Sequence, residues 1–163
     1  MAKKRSRQGT PATIALDLAG VPYTVHPYDH DPRAASFGLE AAAELGVDPA
    51  RVFKTLLASL DGTLVVGIVP VSGQLDLKAL ARALGGSKAA MADVADAERV
   101  TGYVAGGIAP IGQKRRLRTV LDATALDHPT IYVSGGRRGL DLEIDPADLV
   151  AITEAMTDRI GRD

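Results

Sequence analysis

The amino-acid sequence predicts an α+β fold built on a mixed β-sheet, and three observations carry that expectation. Two β-rich runs, RVFKTLLASL and TLVVGIVPV, are joined by Asp61-Gly62, a pair suited to the two positive-φ positions of a type I′ turn and hence a strong hairpin signal. Capped helical stretches are scattered among the strands instead of alternating with them one for one, which disfavours a regular parallel sheet. The length of 163 residues, with 46% apolar and 24% charged side chains, suits one globular domain. A chain of this size buries about 70% of the surface its unfolded form exposes, enough to hold a core without staples.

Residues 1–9, which include Lys3, Lys4, Arg5 and Arg7, read as a flexible basic arm, and the domain proper as residues 10–163. Thr10 offers a hydroxyl N-cap and Pro11 a first helical position; Ile14 and Leu18 form the apolar stripe of that helix and Gly20 ends it. VPYTVHPY (Val21 to Tyr28) reads as a strand, followed by a polar loop from Asp29 to Ala35. A second helix covers Phe37 to Leu45 and stops at Gly46, and Asp48-Pro49 starts a turn into the hairpin. Asp76 caps a helix through Leu84, which Gly85-Gly86 terminates. A short helix from Asp93 to Arg99 precedes the glycine-rich GYVAGGIAPIGQ. Three short strands follow, at Arg118 to Asp122, Thr130 to Ser134 and Leu140 to Ile144, and a last helix begins near Pro146. The chain shows neither internal repeats nor low-complexity tracts.

Composition removes several classes of function. Without cysteine there is no disulfide framework, no thiolate metal site and no cysteine nucleophile. No apolar run reaches the roughly 18 residues of a membrane span, and the basic start MAKKRSRQGT lacks the apolar stretch of a secretory signal, so a soluble cytoplasmic protein is expected. The net charge of −1 conceals clustering. Between Glu98 and Asp122 there is no acid but there are five bases, Arg99, Lys114, Arg115, Arg116 and Arg118. Arg137 and Arg138 occupy a second acid-free gap, from His128 to Leu140. Such clusters suit a polyanion, because lysine and arginine gain affinity by displacing phosphate counterions; equally, they suit an ordinary basic surface.

Few residues are candidates for chemistry. In VFKTLLA, period-2 alternation puts Lys54 on the face of Leu56 and Ala58. It is either an edge-strand gatekeeper or an ammonium projecting into a cavity to meet an anionic or carbonyl oxygen. Gly106-Gly107, within Ala105 to Gly112, can bring backbone N–H groups close to a ligand oxygen, though the segment is neither a Walker loop nor a dinucleotide fingerprint. Ser134, at a strand end before two glycines, suits a hydrogen-bonding role; without a G-x-S-x-G elbow or a histidine partner it is not a nucleophile. Asp141, Glu143 and Asp145 alternate on one strand face, more typical of a solvated edge than of a cation site, so no metal and no cofactor are expected. His26 and His30 have metal-pair spacing, but Pro27 and Pro32 rule out a shared helix.

In order along the chain, RVFKTLLA, LDLKALARALG, ERVTGYVAGGIAPIGQK and IYVSGGRRGLDLEI resemble the YbaK/EbsC proteins, free-standing relatives of the editing domain inserted in bacterial prolyl-tRNA synthetases. The resemblance spans about Thr10 to Ile152, with one departure: Ala109 stands where a serine is common, which removes a hydrogen bond near the substrate pocket. It implies a curved, barrel-like mixed sheet flanked by helices, and an aminoacyl-tRNA deacylase acting in trans, most commonly on Cys-tRNA(Pro). It also implies that the substrate's own thiol attacks the ester and no enzyme nucleophile is needed. On this basis Lys54 contacts the carbonyl or the terminal nucleotide, Gly106 and Gly107 present backbone donors, Ser134 bonds near the scissile ester, and Asp141 orients the amino group or a nearby base. Tyr28 and Phe37 wall the pocket or stack on the terminal adenine, with Ala109 and Pro110 also at the substrate. Lys114, Arg115, Arg116 and Arg118 meet the acceptor stem, and a bound prolyl-tRNA synthetase supplies tRNA identity. A water-dependent deacylase for alanine or another small residue, and a non-catalytic module binding aminoacyl-tRNA or a synthetase, are the alternatives.

Overall fold

The structure is a computed structural model that describes residues 9–163, so the expected arm lies, Gly9 apart, outside the described residues. In chain order the first half comprises α1 (Pro11–Ala19), β1 (Thr24–Pro27), α2 (Phe37–Leu45), a 3-10 turn (Pro49–Arg51), β2 (Phe53–Leu60), β3 (Thr63–Pro70), β4 (Gln74–Leu75) and α3 (Leu77–Ala83). The second half comprises β5 (Ala89–Met91), α4 (Val94–Thr101), β6 (Thr119–Asp122), a 3-10 turn (Ala123–Asp127), β7 (Ile131–Arg137), β8 (Leu140–Ile144), α5 (Pro146–Thr153), β9 (Met156–Asp158) and β10 (Gly161–Arg162). This is an α+β fold.

The expected hairpin is its centre. β2 and β3 pair antiparallel from Phe53–Pro70 to Leu60–Thr63, and Asp61 and Gly62 hold φ of 50° and 88°, as a type I′ turn requires. The Asp61 carboxylate also accepts the N–H groups of Ser87 and Lys88 at 2.8 and 2.9 Å. The hairpin lies within a five-stranded sheet of order β5-β2-β3-β6-β9, in which β6 and β9 run parallel to their inner neighbours. A second, antiparallel sheet has the order β1-β8-β7. Strands β4 and β10 form a separate pair.

None of these sheets closes, so the barrel-like closure implied by the family resemblance is not formed. The five- and three-stranded sheets touch through one parallel bridge, Val52 to Tyr132. The ladder stops there because β7 carries a register shift between Ser134 and Arg137, over Gly135-Gly136, that turns it away from β2. On the same edge β2 is next paired only from Leu57, whose carbonyl accepts from Ala92 N at 3.1 Å. The strand edge from Phe53 to Leu56 is therefore left open between β7 and β5.

Strand alternation divides the core. Phe53 and Leu57 join the main cluster with Leu16, Ile68, Leu121, Val133 and Leu142. On the other face, Ala58 and Leu60 pack with Val65, Val69 and Leu80 under α3, with Leu56 against them. Val52, Val71 and Tyr132 form a third cluster with Ala41 and Ala42 of α2. Lys54 falls on the Leu56 and Ala58 face, as its spacing predicts, between the second and third clusters. One expectation is corrected: Ile14 and Leu18 are not the buried stripe of α1 but are 47% and 81% exposed. The buried face is Ala12, Thr13 and Leu16, the face turned inward when Thr10 ties the helix start to β7 by donating to Gly135 O at 2.6 Å. The first strand is also shorter than VPYTVHPY suggests, since only Thr24 to Pro27 find a partner in β8.

Candidate active site

A cavity of about 300 Å³ opens at the unpaired edge of β2. The open edge supplies Lys54 and Thr55, β7 supplies Ser134 and β8 supplies Asp141, directly opposite Ser134 in the ladder. Tyr28 follows β1, Ser36, Phe37 and Gly38 come from the start of α2, and Gly106 and Ile108 come from the glycine-rich loop. Six residues singled out in the sequence (Tyr28, Phe37, Lys54, Gly106, Ser134 and Asp141) thus line one cavity although they are scattered over more than a hundred positions. Tyr28 is fixed by its N–H, which donates to Gly139 O at 2.9 Å. Ser36 caps α2, its hydroxyl accepting from Leu39 N at 3.3 Å.

The cavity is lined by one basic and one acidic side chain, and neither is paired among the described residues. The Lys54 ammonium makes no ion pair or hydrogen bond among the described residues, and burial pulls it below the usual lysine range. Asp141 is 5% exposed and its carboxyl likewise has no hydrogen-bond partner among the described residues; burial pushes it from 3.8 to about 7. The same surroundings, with Asp141 adding repulsion, raise the Tyr28 hydroxyl. Buried charges that serve structure are normally paired, and titrating groups shifted by desolvation in a cleft mark functional sites.

The Asp141 shift fixes a pH dependence. The unfolded chain releases this proton near pH 4 and the folded chain near pH 7, so between those values the folded state binds more protons. Stability therefore falls as pH rises from 4 to 7, by on the order of 4 kcal/mol, and is level above it. Asp141→Asn is expected to raise the melting temperature at pH 8 and leave it nearly unchanged at pH 4, which a pair of thermal scans checks.

The glycine-rich loop is held before any ligand arrives. Tyr103 Oη donates to Ile111 O at 2.7 Å, Ala105 N to Glu98 Oε2 at 2.8 Å, and Gln113 Nε2 to Ala109 O at 3.1 Å. Gly107 N already donates to Val104 O at 2.9 Å, and a β-carbon there would sit 2.8 Å from Arg137 Cα; its role is close packing against the β7–β8 hairpin. Gly106 N–H has no hydrogen-bond partner among the described residues, and the residue lies against the Phe37 ring. Ala109 is fully buried in the main core, away from the cavity. Pro110 and Arg116 line a different hollow, of about 490 Å³, beside Leu18 of α1. Lys114, Arg115, Arg116 and Arg118 are exposed but line no part of the Lys54 cavity, and two of them are engaged elsewhere: Arg116 donates to Ile152 O and Arg118 to Leu84 O, at 2.8 and 2.7 Å.

The remaining candidates serve the scaffold. Glu143 accepts from Thr130 and contacts His26 Nε2 at 2.9 Å, while Asp145 caps α5 through Ala147 N at 2.9 Å. With Asp141 buried, the expected solvated acidic edge does not exist. His30 meets Glu40 at 2.8 Å, pinning the loop before α2. Sequence reasoning missed Thr55 and Ile108, which look like ordinary strand and loop residues, and also Arg138. The guanidinium carbon of Arg138 lies 4.6 Å from the centre of the Phe37 ring; the acid-free gap around Arg137 and Arg138 was its signal.

Comparisons with known proteins identify relatives of the chain. Residues 31–152 match the aminoacyl-tRNA editing domain family. A curated Enterococcus faecalis (strain ATCC 700802 / V583) protein, named as a candidate Cys-tRNA(Pro)/Cys-tRNA(Cys) deacylase, EbsC, is 37% identical over 159 residues, covering 94% of this chain and 93% of that one. Among solved structures, one described as a candidate trans-editing enzyme for prolyl tRNA synthetase superposes with a TM-score of 0.81 at 23% identity, covering 98% of both chains. A hypothetical protein, APE2540, gives 0.84 at 24% identity over 93% of this chain and 99% of its own. These two likenesses establish the shared fold.

Proposed function

The chain belongs to the aminoacyl-tRNA editing domain family and is an aminoacyl-tRNA deacylase, and from that premise we propose that it clears cysteine from proline tRNA in trans. The observation that carries this reading is the unpaired Lys54 and Asp141 in one small cavity. An aminoacyl ester presents an α-ammonium and, one carbon away, a carbonyl oxygen that becomes an oxyanion during attack. Asp141, ionised by the arriving ammonium, holds the first, and Lys54 stabilises the second. Gly106 N–H supplies a second donor to the carbonyl. Ser134 accepts from Gly136 N at 3.2 Å and keeps its hydroxyl proton for the ribose side of the ester.

Among the described residues, no side chain lining the cavity is a nucleophile hydrogen-bonded to a base. The substrate supplies one: its sulfur attacks the ester carbonyl carbon, the bond to the ribose oxygen breaks, and the thiol proton passes to the departing ribose hydroxyl. The product is a four-membered thiolactone, which water opens to free cysteine. The protein contributes near-attack geometry and electrostatic stabilisation. Ala109 sits in the core, so cavity size rather than that substitution governs which amino acid enters. On this reading a bound prolyl-tRNA synthetase supplies tRNA identity, and the protein works beside translation in the cytoplasm. Incubation with Cys-, Ala-, Ser- and Pro-charged proline tRNA tests the reading: selective loss of cysteine supports it, loss of alanine instead points to a water-dependent pocket, and no loss with tRNA still bound refutes catalysis.

A further inference from the structure

We propose that Arg138 is the phosphate-binding residue of this site, gripping a phosphate of the tRNA 3′ end next to the aminoacylated nucleotide. The inference rests on the reading above, in which an aminoacyl end enters the Lys54 cavity. An amino acid seated there leaves its nucleotide at the mouth, with that nucleotide's own phosphate one ribose away from the ester. Phe37 and the glycine-rich loop line the cavity, and Arg138 joins the two: its Nε donates to Ala105 O at 2.8 Å while its guanidinium lies 4.6 Å from the Phe37 ring centre. This fixes the plane of the fork at little entropic cost on binding and leaves its terminal N–H groups unpartnered among the described residues. A fixed, stacked guanidinium is matched to a phosphate's paired oxygens in a way a mobile lysine is not.

The local charges favour an anion. Arg138 is exposed and forms no ion pair among the described residues. The nearby acid Glu98 is turned onto Ala105 N at 2.8 Å, and Glu40 is held by His30 and by Asp31 N, at 2.8 and 2.6 Å. Arg116 and Arg118, by contrast, are bonded to carbonyls away from the cavity. Next to the ester, Arg138 adds a phosphate contact to any made by the exposed Lys114 to Arg118 stretch, which lines no part of this cavity.

Binding of uncharged proline tRNA, titrated with KCl between about 50 and 200 mM, tests this alongside deacylation of Cys-charged proline tRNA. Arg138→Gln keeps a donor for Ala105 O without the charge. It is expected to weaken binding about tenfold, to flatten the slope of log affinity against log salt by about 0.7, and to raise KM with kcat changed less than about twofold. Arg138→Lys is expected to restore the slope but not the full affinity. An unchanged slope in Arg138→Gln at unchanged melting temperature overturns the proposal, as does a fall in kcat alone, which would make Arg138 only a prop for Phe37. If the wild-type protein releases no amino acid yet Arg138→Gln flattens the slope, the deacylase reading fails and the phosphate site stands.

Discussion

Lys54→Ala is expected to lower kcat/KM for cysteine release about 100-fold, chiefly through kcat, because removing one donor aimed at a developing oxyanion typically costs a factor of 10² to 10³. Affinity for tRNA should change little, since Lys54 lies inside the cavity and not among the exposed bases. Stability moves the other way. The ammonium is partly desolvated and unpaired, so Lys54→Met is expected to hold or raise the melting temperature while abolishing turnover. Loss of activity with gain of stability separates a catalytic lysine from an edge gatekeeper, whose loss would instead appear as aggregation with turnover intact.

The second large effect is steric. Gly106 has φ of 84°, a region that disfavours a side chain, and a β-carbon there would stand 2.6 Å from Phe37 Cδ2. Gly106→Ala must therefore displace the loop or the Phe37 ring, both of which line the cavity, and with them the N–H proposed to meet the ester. We expect kcat/KM to fall at least about 100-fold, since small misplacements of a positioned ester cost that much, against a stability loss of about 1–3 kcal/mol. Because the obstacle is Phe37, the two sites are coupled: Gly106→Ala should cost clearly less in a Phe37→Ala background. Additive costs in that double-mutant cycle would contradict the packing account.

Much of the fold was legible because its signals are local. Asp61-Gly62, the Thr10 and Asp76 caps, and the terminal glycines Gly20 and Gly46 each act within a few residues. The short strands β4, β5, β9 and β10 were not legible, since two- and three-residue pairings are set by distant partners and carry no periodicity of their own. Ile14 and Leu18 misled for a related reason: the choice of buried face on α1 is dictated by the bond from Thr10 to Gly135, which helical periodicity does not encode. At the site, Lys54 was visible as a charge breaking an apolar alternation. Asp141 looked like one member of an acidic row; only burial, a tertiary property, separates it from Glu143 and Asp145. Family likeness carried the conjunction of Tyr28, Phe37, Ser134 and Asp141. It placed Ala109 and Pro110 at the substrate, where the structure puts one in the core and the other on a separate hollow.

The central claim is that the cavity positions an ester whose own thiol performs the attack. The most direct measurement compares proline tRNA charged with cysteine and with 2-aminobutyrate, a near isostere in which a methyl group replaces the thiol. Both should enter a cavity of about 300 Å³ and compete for it equally. The account predicts rapid release of cysteine and no enzyme-dependent release of 2-aminobutyrate. Release of both at similar rates would contradict it and assign the attack to water.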